Sequence, residues 1–193
     1  MGMLLLGLVL FLGVHSVRIF ADDWRTQVIT RRGEGAWKGL YSLLSIAGFA
    51  LLIWGYGLAR QQPVVLWTPP VAMRHMASLL TLIAFILLVA AYVPRNGIKA
   101  RLHHPMVIGV KVWAFAHLLC NGNLADVVLF GAFLVWAALS FRAARARDRA
   151  AQTVYPAGTV AATAITVIVG AVAWVGFALW LHGMLIGVRP FGV

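Results

Sequence analysis

Apolar residues in this chain fall in long unbroken runs separated by short basic stretches. The runs cover about Met1–Phe20, Gly39–Leu58, Val71–Val93, Pro105–Cys120, Leu124–Phe141 and Thr159–Leu181. Most are close to the ~20 residues that a helix needs to cross the hydrocarbon core of a bilayer, and Pro105–Cys120 is the shortest. They are continuous rather than alternating, which predicts helices and not the period-two strands of a barrel. The predicted fold class is therefore all-α: a polytopic membrane helix bundle of six transmembrane helices, forming a single integral membrane domain over residues 1–193. The first run has no basic segment before it and is interrupted by Arg18, so it reads as a retained span rather than a signal peptide.

The breaks between runs set the orientation. Arg25, Arg31, Arg32 and Lys38 fall in 21–38, Arg95, Lys99 and Arg101 in 94–104, and Arg142, Arg145, Arg147 and Arg149 in 142–158. These three breaks hold eleven of the sixteen basic residues, so the positive-inside rule makes them cytoplasmic. Six spans then leave both termini on the periplasmic side of a bacterial inner membrane. A charged fraction of 11% excludes an ordinary soluble domain. The net charge of +11 comes without any nucleic-acid-binding signature, so the partner it predicts is anionic membrane lipid and not nucleic acid. The one cysteine, Cys120, excludes an intrachain disulfide, and without CxxC neither structural zinc nor covalent c-type haem is suggested.

Local signals fit this frame. Asn121-Gly122-Asn123 predicts a Gly cap on the fourth helix followed by an Asn cap on the fifth. Asp126 falls in the first turn of the fifth helix, where the helix dipole favours a carboxylate. Trp24, Trp37 and Trp67 lie at span ends and read as interfacial belt residues. Pro63, Pro69 and Pro70 mark a break that is not helical throughout. The alanine-rich start of the sixth run, Ala157–Ala164, predicts close helix packing there.

Ionisable side chains inside a membrane span mark candidate sites. His15 lies in the first run, and Arg18 shares its helix face. Arg18 reads either as a boundary residue snorkelling to the headgroups or as the partner of an acidic cofactor group such as a haem propionate. His117 lies deep in the fourth run, roughly 18 Å along the helix from Pro105. Trp113, Ala114, Cys120 and Asn121 share its face. His104 and Lys111 form a second stripe nearer the cytoplasmic end and read as boundary residues. His75 and His182 belong to the opposite boundary. Two intramembrane histidines on different helices suit a b-type haem held by imidazoles, or another metal, or simple buried hydrogen bonding. No pair of intramembrane carboxylates, Ser/His/Asp set or phosphate-binding loop is present.

The stretch from His103 to Ala137, "HHPMVIGVKVWAFAHLLCNGNLADVVLFGAFLVWA", resembles the NnrU family of membrane proteins. The family pattern of His-Pro, Gly, W-x-x-x-H and N-G falls on His104-Pro105, Gly109, Trp113, His117 and Asn121-Gly122. "FLGVHSVRIF", Phe11–Phe20, resembles the family's first-helix H-S motif. Where the family usually has Arg before His-Pro, this chain has His103. The resemblance reaches a plastid zeta-carotene isomerase as a relative. It implies a haem b cofactor with His15 and His117 as its iron ligands. It also implies a haem-dependent isomerase or oxidoreductase role, with a hydrophobic polyene substrate or a membrane redox partner, and a link to nitrogen-oxide metabolism in denitrification. Arg18, on the His15 face, and Trp113, on the His117 face, are the further candidate cofactor-binding residues.

Two other classes compete. His104, Pro105 and Gly109 also resemble the S-adenosylmethionine-binding motif of isoprenylcysteine carboxyl methyltransferases, which implies a membrane methyltransferase instead. A non-catalytic assembly partner of a larger membrane enzyme is the third.

Overall fold

The computed structural model describes residues 1–191, and every described segment of regular structure is helical. In chain order the helices are α1 (Gly2–Phe20), α2 (Asp22–Arg32), α3 (Glu34–Ala59), α4 (Ala72–Tyr92), α5 (Gly97–Leu102), α6 (Pro105–Cys120), α7 (Leu124–Ala150), α8 (Val160–Gly176) and α9 (His182–Ile186). A π-helical turn, Phe177–Leu181, joins α8 to α9. The protein is thus an all-α, multi-span membrane protein. Five helices are long and apolar enough to cross a bilayer: α1, α3, α4, α7 and the continuous Val160–Ile186 helix. The 16-residue α6 is apolar but shorter.

Three of the breaks expected to be loops are partly helical. Residues 22–32 form α2, with Asp22 and Asp23 in its first turn and Arg31 and Arg32 in its last. Those charges complement the helix dipole at both ends, which stabilises an otherwise polar helix. Gly97–Leu102 forms α5, and α7 runs on to Ala150 rather than stopping at Phe141. The residues added to α7 are mainly Ala and Arg, which are strong helix formers, so helicity continues where hydropathy ends.

Contacts divide the chain into two units, each assembled from two segments: Met1–Thr68 with Gly122–Ala144, and Pro69–Asn121 with Arg145–Val193. In the first unit α1 and α3 lie antiparallel with their backbones nearly touching. A Cβ built on Gly55 would lie 2.3 Å from the Leu4 nitrogen, one on Gly7 2.5 Å from that of Leu52, and one on Gly48 2.8 Å from that of Phe11. Only glycine admits so close a crossing in lipid, where packing rather than hydrophobic exclusion drives association. Leu4, Leu8, Leu52, Ala59 and Ala125 form the buried core beside this crossing. The start of α7 is tied to residues 64–67: Gly122 O accepts from Leu66 N at 2.8 Å, and Leu124 N donates to Val64 O at 2.8 Å.

In the second unit α4 is packed by both α6 and α8. Gly109 of α6 meets Ala84 O and Leu87 of α4, and Gly170 of α8 meets the backbone of Ile86. Thr166 and Gly170 are the buried positions of α8, whereas Ala161 and Ala164 are exposed. Close packing nevertheless begins within the alanine-rich start: Gly158 meets the backbone of Asn96 and Gly97, and Thr163 Oγ1 accepts from Gly97 N at 2.8 Å. Thr166 and Gly170 carry it on against α4. Asn96, 1% exposed, links α4 to α5: Nδ2 donates to Ala90 O and Val93 O, and Oδ1 accepts from Lys99 N at 2.8 Å.

Candidate functional site

His15 sits on α1 in an aromatic enclave of the first unit. Its ring centroid is 4.2 Å from Phe11, 5.2 Å from Tyr41 of α3 and 6.0 Å from Trp136 of α7. Nδ1 donates to the Phe11 carbonyl, one turn earlier, at 2.7 Å. A carbonyl oxygen only accepts, so the proton is on Nδ1 and the neutral ring keeps its lone pair on Nε2. Arg18 is turned to the helix end, with Nε 4.0 Å from the Asp22 carboxylate and its side chain 61% exposed.

His117 repeats this arrangement in the second unit. Its Nδ1 donates to the Trp113 carbonyl one turn earlier, at 2.8 Å, and the Trp113 ring lies 5.2 Å away. The His117 carbonyl accepts from Asn121 Nδ2 at 2.9 Å, and Asn121 Nδ2 also lies 3.3 Å from Cys120 Sγ. The α6 terminus is therefore closed by the Asn121 side chain and not by a glycine in the left-handed region. Asn121 is extended, at φ −128° and ψ 127°, and Gly122 is not among the positive-φ glycines. The cap differs because Gly122 O and the residues around it pair with 64–67, which needs extended backbone. Asn123 likewise sends Nδ2 to Asp126 Oδ2 at 3.0 Å.

Asp126 does occupy the first turn of α7, and it is only 3% exposed. Its other oxygen accepts from the Tyr56 hydroxyl at 2.5 Å, a partner 70 residues away that no local signal announces.

His103 and His104 form a second polar centre, richer than a boundary role requires. His104 Nε2 donates to Asp148 Oδ2 at 2.7 Å, and the Tyr155 hydroxyl donates to the same oxygen at 3.0 Å. His103 stacks on Tyr155 with centroids 4.2 Å apart and planes 6° apart, and Arg145 donates to its Nδ1. His103 has φ 66° and ψ −49°, and the His104 N–H closes onto Leu102 O at 2.7 Å. That is a γ-turn of the rare positive-φ kind, strained for a residue with a Cβ. Tyr155 lies in the segment after α7; burial first, then Asp148 as hydrogen-bond acceptor and negative charge, pushes its phenol above the ordinary range. Neither Asp148 nor Tyr155 was singled out by sequence pattern, because each lies among basic or loop residues that carry no periodicity.

The remaining histidines lie apart from these centres. His75, with Val71, Arg74, Pro190 and Phe191, lines a cleft of about 160 Å³, and His182 Nδ1 bonds Val188 O at 2.7 Å. Among the described residues no group of three or more His, Cys, Asp or Glu side chains is gathered to hold a metal ion.

No curated protein and no solved structure matches the chain. The family model described as NnrU protein matches residues 3–190, which takes in α1 with His15, the His104-Pro105 entrance and α6 with His117. By that near end-to-end match, the chain belongs to the NnrU protein family.

Proposed function

We propose that this protein binds haem b in the membrane, with His15 and His117 as the two axial ligands, and that it serves redox or isomerase-like chemistry. The observation that carries this reading is the shared state of the two imidazoles. Each commits Nδ1–H to the carbonyl one turn earlier, which orients the ring and leaves Nε2 as the basic nitrogen. Metal-bound histidines are characteristically held in this way, with the second nitrogen donating to a carbonyl or carboxylate. The donor set fits a haem: two neutral imidazoles, in apolar helices, each beside aromatic rings. The chemistry such a group supplies when bound is one-electron exchange between ferric and ferrous iron.

The chain's own residues then orient the ligands and exclude water. Phe11 and Tyr41 shield the His15 ring, and Trp113 shields His117. Were both imidazoles to hold the haem, they would leave no open coordination position for a small molecule. That favours electron transfer to a membrane partner, or gated isomerisation of a hydrophobic polyene, over constitutive binding of nitric oxide or oxygen. A place in nitrogen-oxide metabolism, six crossings with α6 as the fourth, and periplasmic termini complete the proposal. The test is a spectrum of protein purified after haem-supplemented expression. A Soret band with low-spin α and β bands on reduction is expected, and it should be lost in His15→Ala and in His117→Ala. A wild-type protein without a Soret band overturns the reading.

One observation favours the S-adenosylmethionine-dependent methyltransferase instead: a carboxylate, Asp148, lies beside His104 at the α6 entrance. That carboxylate already accepts from both His104 and Tyr155, so a cofactor amine or ribose would have to displace one of them. Calorimetric binding of S-adenosylmethionine to haem-free protein would reverse the order of the two readings.

A further inference from the structure

The Trp136 indole nitrogen is buried and has no hydrogen-bond partner among the described residues. An indole N–H can only donate, and a buried donor left unmade is costly, so natural proteins rarely leave one. Trp136 lies twelve residues into α7 and five before Phe141, and its N–H is shielded from solvent by the protein itself. The ring meets His15 edge-on, 6.0 Å between centroids, within the same enclave. An unsatisfied donor and the His15 imidazole therefore belong to neighbouring rings in one unit.

We propose that Trp136 is a cofactor-binding residue whose indole N–H donates to a propionate carboxylate of the haem b held by His15. This rests on the haem reading above. The periphery of haem b is otherwise methyl, vinyl and ring carbon, so the propionates are the acceptors it offers. A carboxylate brought into an apolar enclave needs donors to replace water. Arg18, the candidate suggested by sequence, reaches toward Asp22 and the exposed helix end instead. Trp136 supplies a buried donor on a ring that neighbours His15, with no charge to desolvate.

The test uses the full-length chain in nanodiscs, titrated with haem b and with haem b dimethyl ester, as wild type and as Trp136→Phe. Phenylalanine keeps an aromatic ring and removes the donor together with the five-membered half of the indole, so the ester comparison, which leaves packing untouched, isolates the donor. The expected result is a bis-imidazole spectrum in both proteins, with haem b bound roughly tenfold more weakly by Trp136→Phe. Esterification should weaken binding to the wild type by a similar factor and change binding to Trp136→Phe much less. Equal haem affinity in the two proteins overturns the inference. So does an equal ester effect in both, as would arise if the indole bonded a lipid carbonyl or water. The wild-type ester comparison involves no substitution, so it decides the matter even if the variant folds poorly: an ester bound as tightly as haem b overturns the proposal. A wild type that binds no haem sinks the haem reading and this inference together, whereas the other outcomes leave the haem reading standing.

Discussion

The histidines of this protein differ in what their two ring nitrogens bond, and that difference separates their roles. His15 and His117 use Nδ1 on a carbonyl of their own helix. His104 uses Nε2 on Asp148, and His103 accepts from Arg145 through Nδ1. His103 also carries strain, at φ 66°, where a Cβ is disfavoured. Replacing His103 by Ala and by Gly removes the same stacking on Tyr155 and the same Arg145 bond, but only Gly releases the strain. His103→Gly should therefore be more stable than His103→Ala by about 1–2 kcal/mol, the reverse of their order in a helix. Unfolding of the two variants in the same detergent measures the difference, and an alanine variant at least as stable would show that no strain is stored there. Sequence identified the His-His-Pro stretch and placed His104 at a helix boundary, and it is the N-cap of α6. The partners it finds there, Asp148 and Tyr155, are remote in the chain and unremarkable within it.

At the scale of elements, glycine sets how closely α1 and α3 approach. The atoms that a Cβ on Gly55 would meet are backbone, so no side chain can rotate away. Gly55→Ala must push the helices apart and should cost about 1–3 kcal/mol. Gly57, in the same helix, has nothing within 4 Å of its Cβ position. Gly57→Ala should be neutral or stabilising by roughly 0.5–1 kcal/mol, because alanine loses less backbone entropy. Thermal unfolding of both variants in detergent provides the comparison, and equal effects would mean that α1 and α3 do not cross as described. The spans themselves were readable because apolar length is imposed by the bilayer. The crossing face was not, because helices apolar on nearly all sides give no stripe from which to read a rotation. Helix ends beyond the spans, in α2, α5 and the tail of α7, were missed for a related reason: hydropathy reports the membrane, whereas helicity continues through Ala- and Arg-rich chain outside it.

For the whole molecule, the number of crossings turns on α6. Sixteen residues rise about 24 Å, short of the ~30 Å hydrocarbon core. The basic breaks nevertheless require an even count if all three are cytoplasmic. Alkaline phosphatase fused after Val193 should be active and the same reporter inserted after Gln152 inactive. An inactive C-terminal phosphatase, with a fluorescent C-terminal green fluorescent protein in its place, would mean an odd count and an α6 that does not cross.

What sequence determined by itself was the all-α membrane class, the positions of the apolar helices and the family. Those follow from properties that each segment carries alone: length, hydropathy, charge and motif spacing. What only tertiary structure decided was pairing. Tyr56 on Asp126, Tyr155 and His104 on Asp148, and Trp136 beside His15 join residues far apart in the chain. Each pair depends on how every helix is rotated about its axis, and in a segment that is apolar all round, rotation leaves no trace in the order of residues.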